Sequence, residues 1–196
     1  MTKIGINGFG RIGRLVLRAL LENYKDKIEV VGINDLGSIE ANAHLIKYDS
    51  THGTLPFDVK VSKDGLKILN QNIKVFAERD PVNLPWGKLG ADVVLECTGL
   101  FLDKSSAEKH IKAGAKKVVI SAPAKEVDFT IVQGVNSAGL KKEHNVISNG
   151  SCTTNCLAPI AMVIDKNFGI EYGYMTTIHS YTGDQKLLDT LHKDLR

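Results

Sequence analysis

The sequence predicts an α/β fold, in which a doubly wound, mostly parallel sheet is followed by the incomplete start of an α+β unit. Three observations carry this prediction. Short apolar runs recur along the 196 residues, and they are continuous rather than alternating, as in strands covered on both faces. Helical segments separate some of these runs, and a right-handed crossover through a helix makes the flanking strands parallel. A glycine-rich turn follows the first run, where a strand would pass into a helix.

The first strand–helix–strand unit is predicted near the amino terminus. An apolar run around Ile4 and Ile6 ends at Asn7-Gly8 and predicts a strand that enters a tight turn. The next apolar residues have the i, i+3, i+4, i+7, i+8 spacing of one helix face, and they are Ile12, Leu15, Val16, Ala19 and Leu20. A second strand is predicted from Ile28 to Ile33, followed by Asn34-Asp35.

The middle of the chain continues this pattern. Further strands are predicted at the apolar runs 93–95, 118–120 and 146–147. A helix is predicted from about Ser105 to Ala113, because Gly114 is a typical helix stop. The stretch from Phe57 to Phe76 differs, since turn residues break it into short segments, and it is predicted to be an antiparallel insertion.

The last part of the chain predicts one helix and one strand. The helix is expected from Ser151 to about Asn167, where Pro159 should bend it or cost it a hydrogen bond. The strand is expected from Tyr172 to Ile178. Because these two elements cannot bury a core of their own, residues 151–196 are expected to be the beginning of an incomplete domain, after a first domain of residues 1–150.

Composition and charge exclude several classes of partner. A net charge of +3, with isolated lysine pairs rather than a basic stripe, does not predict nucleic-acid binding. Three cysteines do not predict a disulfide framework. The amino terminus shows no apolar signal region, and no apolar stretch reaches the ~18 residues of a membrane span. We therefore expect a cytoplasmic protein without a membrane partner.

The glycine-rich turn predicts a dinucleotide site. Gly8, Gly10 and Gly13 match G-x-G-x-x-G, in which the glycines permit a tight turn, a close approach of the pyrophosphate, and close helix–strand packing. Asp35 lies 22 residues after Gly13, near the ~20 residues expected for the acid that accepts hydrogen bonds from the adenosine ribose. These features together predict a Rossmann-type domain. The alternative is that Asp35 only caps the next segment.

A cysteine and a histidine form the second candidate site. Cys152 lies where the predicted helix begins, so the helix dipole would favour its thiolate. His179 follows the predicted strand and could return beside that thiol as a thiol–imidazole pair that attacks carbonyls. The alternatives are a buried, inert cysteine and a histidine that only packs. Cys156 is interpreted as structural, and the spacing does not predict a metal site.

Several motifs resemble the glyceraldehyde-3-phosphate dehydrogenase family over residues 3–196. They are Ile4-Gly5-Ile6-Asn7-Gly8-Phe9-Gly10-Arg11-Ile12-Gly13-Arg14, Ile33-Asn34-Asp35, Glu96-Cys97-Thr98-Gly99, Ser151-Cys152-Thr153-Thr154-Asn155, His179-Ser180-Tyr181-Thr182 and His192-Lys193-Asp194-Leu195-Arg196. The run from Ser151 to Asn155 is the active-site signature of that family. The resemblance implies an oxidoreductase of glycolysis that forms a homotetramer.

The resemblance also implies a reaction. Cys152 would attack glyceraldehyde 3-phosphate to form a thiohemiacetal, and His179 would activate the thiol and then accept the hydroxyl proton during hydride transfer to the nicotinamide. Inorganic phosphate would release the resulting thioester as 1,3-bisphosphoglycerate. The close enzymatic alternative is erythrose-4-phosphate dehydrogenase, and the other is a non-catalytic nucleotide-binding fragment.

The family motifs assign further residues to two sets. The cofactor-binding set is Gly8, Gly10, Arg11, Ile12, Gly13, Asp35, Arg79, Thr98, Gly99 and Ser121. The set that binds substrate and phosphate is Ser151, Cys152, Thr153 and Thr182. Hydroxyl donors beside a helix start suit phosphate oxygens. The simpler alternatives are a helix cap for Ser151 and a surface charge for Arg79.

The sequence departs from the family pattern in two places and in length. Gly183 replaces an asparagine of many members, and Thr190-Leu191 replaces a leucine-proline pair of typical NAD-specific forms. Asp35 nevertheless favours NAD, with NADP as the alternative. Family members continue well beyond residue 196, so the 196 residues alone are expected to be inactive.

Overall fold

A computed structural model gives the structure of this protein and describes residues 1–182. The strands are β1 Thr2–Asn7, β2 Ile28–Asn34, β3 Tyr48–Asp49, β4 Gly53–Thr54, β5 Val59–Ser62, β6 Gly65–Ile68, β7 Gln71–Phe76, β8 Val93–Glu96, β9 Lys117–Ile120, β10 Phe129–Thr130 and β11 Val146–Ser148. The helices are α1 Arg11–Asn23, α2 Ile39–Lys47, α3 Trp86–Leu89, α4 Lys104–Lys112 and α5 Cys152–Phe168.

Nine of these strands form one sheet in the order β10-β11-β9-β8-β1-β2-β7-β6-β5. All neighbours from β10 to β7 are parallel, whereas β6 and β5 are antiparallel. The prediction of a mostly parallel sheet is therefore confirmed, and so is the antiparallel insertion between Phe57 and Phe76. Strand β7 belongs to both parts, because it pairs with β6 on one side and with β2 on the other.

Both faces of the sheet carry a hydrophobic core, as a doubly wound fold requires. Val30 and Val31 are neighbours in β2, yet they pack in different clusters because successive strand residues point to opposite faces. The cluster around Val30 includes Leu17 of α1 and Ile46 of α2. The cluster around Val31 includes Trp86 of α3. The sheet thus separates α1 and α2 from α3.

Helix α1 buries a different face from the predicted one. Its buried residues are Gly13, Leu17, Arg18 and Leu21, whereas Ile12 of the predicted stripe is 47% exposed. The cause is the close approach of α1 to the preceding turn, since a Cβ atom on Gly13 would overlap the carbonyl oxygen of Gly8. That contact turns the residues one and two helical turns beyond Gly13 towards the sheet.

The carboxy-terminal segment confirms its helix but not its strand. Helix α5 runs from Cys152 to Phe168, and Pro159 lies inside it without ending it. The predicted strand from Tyr172 to Ile178 is wrong, because residues 169–182 have no regular secondary structure. A strand needs a hydrogen-bonded neighbour, and within the described chain none pairs with this segment. Helix α5 also differs from the other long helices, since none of its residues is buried in the described structure.

Within residues 1–182, no helix is long and apolar enough to cross a bilayer.

Substitutions at two glycines test the contact that orients α1. We expect Gly13→Ala to lower the free energy of unfolding by about 1–3 kcal/mol, because the added Cβ must displace backbone. Gly10→Ala is the matched control, since nothing described lies within 4 Å of its Cβ position. Alanine at position 10 is a weaker helix cap than glycine, but it also reduces the conformational entropy of the unfolded chain. These two effects on the free energy of unfolding offset one another to within about 0.5 kcal/mol. Urea unfolding of both variants measures the difference, and equal stability would contradict the role of Gly13.

Candidate active site

The predicted site residues follow the carboxyl ends of parallel strands. Gly8 comes after β1, Asp35 after β2 and Thr98 shortly after β8. Ser121 follows β9, and Cys152 comes four residues after the end of β11. Because these strands are parallel neighbours, all five residues lie along one edge of the sheet. This is the edge where open α/β sheets bind ligands.

A cleft of about 370 Å³ opens at this edge between the turns that follow β1, β2 and β8. Five predicted cofactor residues line it, namely Gly8, Gly10, Asp35, Arg79 and Thr98. Seven further residues line it that sequence reasoning missed, namely Asn7, Asn34, Leu36, Glu78, Cys97, Leu100 and Phe101. Most of these follow or end a strand at the carboxyl edge, which is the signal that could have found them.

The glycine-rich turn has the geometry of a phosphate cradle. Gly8 has a φ of +89°, in the left-handed region that favours glycine. Gly10 is the cap of α1, and the space where its Cβ would stand is open among the described residues. Helix α1 begins directly after Gly10, which lines the cleft, so its unpaired first amides and the positive end of the helix dipole lie beside the cleft. This cradle fits the pyrophosphate of a dinucleotide.

Asp35 is fixed beside that cradle by two backbone amides. Its Oδ2 atom accepts a hydrogen bond from the amide of Phe9 at 2.9 Å, and its Oδ1 atom accepts one from Gly37 at 2.8 Å. The half-buried carboxylate retains lone pairs for two ribose hydroxyls. Its negative charge would repel a phosphate group on the 2′ oxygen.

The other predicted cofactor residues lie around the cleft without lining it. Arg11 is exposed and forms an ion pair with Asp49 at 2.7 Å, and Ile12 is exposed on the next position of α1. Gly99 has a φ of +72° in the turn after β8. Ser121 is half-buried and lowers the pKa of the Cys97 thiol, which lines the cleft, so Ser121 is close to the wall of the cleft.

Cys152 and His179 meet, although they are 27 residues apart in the sequence. The Sγ atom of Cys152 lies 3.1 Å from Nε2 of His179. The hydrogen bond with His179 lowers the pKa of the Cys152 thiol. Desolvation opposes this effect, and the hydroxyl and amide of Thr153 add to the lowering. The site thus holds an exposed thiol biased towards thiolate, next to a proton carrier.

Two of the residues predicted to bind substrate lie close to Cys152 or His179 in the sequence. Ser151 is the cap of α5, and its Oγ atom accepts a hydrogen bond from the amide of Thr154 at 2.9 Å. Ser151 therefore caps helix α5, as the simpler alternative proposed. Its hydroxyl can still donate a hydrogen bond to a ligand. Thr182 lies in the same irregular segment as His179.

The three cysteines differ in reactivity. Burial raises the pKa of the Cys97 thiol to about 11, with a further contribution from the charge of Glu96, so this thiol stays protonated at neutral pH. Cys152 and Cys156 are both exposed. Only Cys152 of these two is at the first turn of α5 and in contact with His179.

The position of β11 places the thiol at a distance from the glycine-rich turn. Strands β9 and β8 separate β11 from β1, so the two strand ends are about 14 Å apart at the usual interstrand spacing. An elongated ligand along the carboxyl edge can therefore have one end on the phosphate cradle and the other near Cys152. The two sequence departures at Gly183 and Thr190-Leu191 lie outside the described residues.

Comparison with known proteins agrees with this arrangement. The profile of the glyceraldehyde 3-phosphate dehydrogenase NAD binding domain matches residues 2–104, and the profile of the C-terminal domain of the same family matches residues 151–196. The first profile covers the phosphate cradle, Asp35 and Thr98. The second begins at the cap of α5 and includes Cys152 and His179.

Individual relatives match over the whole chain. This chain is 57% identical over 194 residues to the glyceraldehyde-3-phosphate dehydrogenase of Xanthobacter flavus. It is 58% identical over 196 residues to that of Geobacillus stearothermophilus. These alignments cover 99% and 100% of the chain but only 58% of the length of each relative. The two profile matches show that the chain belongs to the glyceraldehyde 3-phosphate dehydrogenase family.

Proposed function

We propose that this chain carries the nucleotide-binding part and the nucleophile of a dehydrogenase that oxidises and phosphorylates glyceraldehyde 3-phosphate to 1,3-bisphosphoglycerate. The observation that carries this proposal is the contact of 3.1 Å between the Cys152 thiol and the His179 imidazole. It stands at the same sheet edge as a cradle for a dinucleotide. A nucleophile, a proton carrier and a hydride acceptor are the three groups that the reaction needs.

The first step is addition of Cys152 to the aldehyde. His179 takes the thiol proton, and the thiolate forms a bond to the carbonyl carbon. The carbonyl oxygen then receives that proton from the imidazolium, which gives a thiohemiacetal. The amide of Cys152 is in the first turn of α5, where it has no partner within the helix, so it can stabilise the developing oxyanion.

The second step is oxidation to a thioester. His179 takes the hydroxyl proton of the thiohemiacetal while the hydride leaves the former aldehyde carbon. A bound nicotinamide dinucleotide supplies the hydride acceptor. Inorganic phosphate then attacks the thioester, the carbon–sulfur bond breaks, and the Cys152 thiolate is regenerated. Ser151, Thr153 and Thr182 would donate hydrogen bonds to the phosphate groups of substrate and co-substrate.

NAD is the dinucleotide that Asp35 favours. Its carboxylate is held at the end of β2 by Phe9 and Gly37, where it can accept hydrogen bonds from two ribose hydroxyls. A 2′-phosphate at the same place would meet a fixed negative charge.

Three further properties belong to this proposal. Residues 1–150 would form the dinucleotide-binding domain and residues 151–196 the beginning of the catalytic domain. The intact protein would be a cytoplasmic homotetramer of glycolysis that uses small-molecule substrates, and three free thiols support a reducing location. The 196 residues alone would be inactive, because α5 and the segment of His179 bury little surface.

Removal of the nucleophile tests the reaction directly. In the intact protein we expect Cys152→Ala to abolish phosphate-dependent reduction of NAD, because no thioester can form, while NAD still binds. Cys156→Ala is the matched control, one helical turn further along, and it should retain turnover. Assays with glyceraldehyde 3-phosphate and erythrose 4-phosphate identify the preferred aldehyde. Turnover by Cys152→Ala would refute the assignment of the nucleophile.

The contact with His179 predicts a pH dependence. A lowered thiol pKa means that the thiolate persists to lower pH, so alkylation of Cys152 by iodoacetamide should have its midpoint below the ~8.5 of a free cysteine. In His179→Asn we expect the midpoint to rise towards that value, and acylation to slow by about 10²–10⁴-fold without being abolished. Equal midpoints in the two proteins would contradict the thiol–imidazole pair.

The cofactor assignment predicts a change in selectivity. We expect Asp35→Ala to weaken NAD binding by about tenfold and NADP binding by less. The binding of either dinucleotide suffers from the loss of the hydrogen bonds that Asp35 makes to the amides of Phe9 and Gly37, but only NAD loses a contact with its ribose hydroxyls. Glu40→Ala removes an exposed acid of α2 nearby and serves as the control for net charge. Calorimetric titrations with both dinucleotides measure the ratio, and an unchanged ratio would remove Asp35 from selectivity.

A further inference from the structure

A row of buried polar side chains lies beneath the cleft. Asn34, Asn7 and Glu96 are the last residues of the adjacent strands β2, β1 and β8, and the register pairs Asn7 with each of the other two. Their exposures are 5%, 1% and 1%. Each is followed directly by a turn that forms the cleft. Buried polar groups at such a place must satisfy one another, because water is excluded.

Trp86 fixes the direction of the hydrogen bonds that reach Glu96 through His110. Its indole nitrogen can only donate, and it lies 3.0 Å from Nδ1 of His110. Nδ1 must therefore accept, so the ring is neutral and carries its proton on Nε2. That nitrogen donates to Oε2 of Glu96 at 2.9 Å. Trp86 and His110 are both fully buried, and the indole also packs where a Cβ on Gly5 would stand.

Asn34 independently fixes the direction of the hydrogen bonds that reach Glu96 through Asn7. The amide of Glu78 donates to Oδ1 of Asn34, and Nδ2 of Asn34 donates to the carbonyl of Glu78, both at 2.8 Å. The side-chain amide of Asn34 cannot turn over without losing both bonds. Its Nδ2 atom also donates to Oδ1 of Asn7 at 2.7 Å, and Nδ2 of Asn7 then donates to Oε2 of Glu96 at 2.6 Å.

Glu96 is the acceptor on which both chains of hydrogen bonds end. Its Oε1 atom accepts a hydrogen bond from the amide of Thr98 at 2.7 Å and another from the Thr98 hydroxyl. Three of its partners are nitrogen donors and the fourth is a hydroxyl that can donate, an arrangement that fits a carboxylate which only accepts. Among the described residues, no lysine or arginine pairs with Glu96. Four hydrogen bonds take the place of a counter-ion.

The carboxylate holds one wall of the cleft against another. The Thr98 hydroxyl, which donates to Glu96, accepts a hydrogen bond from the amide of Leu100 at 3.0 Å and so shapes the turn around Gly99. The amide nitrogen of Thr98 would be 2.7 Å from a Cβ on Gly8. Glu96 thus fixes the turn after β8 in direct contact with the first glycine of the phosphate cradle.

We propose that Glu96 is a positioning residue for the dinucleotide, and that its charge and the one-way hydrogen bonds from His110 and Asn7 set the spacing between the phosphate cradle and the Thr98 turn. This inference rests on the proposed function. It concerns the affinity for dinucleotide and not the chemical steps at Cys152, because the hydrogen bonds of Glu96 go to Asn7, Thr98 and His110.

The conservative variant Glu96→Gln tests the proposal in the intact protein. An amide offers only one acceptor oxygen, so its NH₂ group must face either Thr98 or the donors from Asn7 and His110. Neither donor can reverse, since Glu78 and Trp86 fix their directions. We expect the KM and the dissociation constant for NAD to rise by about tenfold, while kcat at saturating NAD changes by less than about twofold.

A matched core variant separates positioning from general loss of stability. Leu66 is a buried residue of β6 in the antiparallel part of the sheet, away from the cleft. Leu66→Ala should lower the melting temperature at least as much as Glu96→Gln and leave the KM for NAD unchanged. If the two variants raise this KM equally, or if Glu96→Gln leaves it unchanged, the proposal is overturned.

Two substitutions at His110 provide a second test if Glu96→Gln does not fold. His110→Gln supplies one acceptor for Trp86 and one donor for Glu96, so the KM for NAD should stay within about threefold of the original. His110→Leu supplies neither and should raise it by about tenfold. Equal KM values for these two variants would contradict the proposal. Failure of the unsubstituted protein to bind any dinucleotide would instead refute the proposed function, and this inference with it.

Discussion

The close approach of helix α1 to the turn after β1 is the constraint on which the rest of the molecule depends. It exists because Gly13 has no side chain where the carbonyl of Gly8 lies. The approach brings the start of α1 beside the cleft and turns Leu17 and Leu21 onto the sheet. The same packing event therefore builds the core on one face and the anion cradle at the edge. A fold of this kind cannot lose the contact without changing its ligand site.

The sequence predicted the order of elements better than their packing. Continuous apolar runs indicated parallel strands, and turn residues marked the antiparallel insertion. The buried face of α1 was missed, because Gly13 has no hydrophobic side chain and so leaves no mark in an apolar periodicity, although Leu17 and Leu21 lie four and eight residues beyond it. The strand at residues 172–178 was predicted wrongly for a different reason. Its apolar pattern is local, whereas a strand depends on neighbours that a pattern cannot supply.

The candidate site was predicted where its chemistry is concentrated in short motifs. Cys152 at a helix start and His179 after an apolar run left a contact as one of several alternatives, and the resemblance to the family favoured it; Sγ of Cys152 and Nε2 of His179 lie 3.1 Å apart. The network that ends on Glu96 could not be predicted. Its members are far apart in the sequence, and Asn7, Asn34 and Glu96 become neighbours only through the register of β2, β1 and β8. Register is a property of the assembled sheet, and no short motif encodes it.

The anchoring of Asp35 has a consequence for redesign of coenzyme preference. The same two oxygens that would recognise a ribose also tie Phe9 of the glycine-rich turn to Gly37 ahead of α2. One carboxylate would thus both select the coenzyme and hold the glycine-rich turn in place. A substitution of this acid that admits a 2′-phosphate also removes the hydrogen bond that holds the glycine-rich turn at Phe9. A workable design must therefore supply another oxygen that accepts the hydrogen bond of the Phe9 amide.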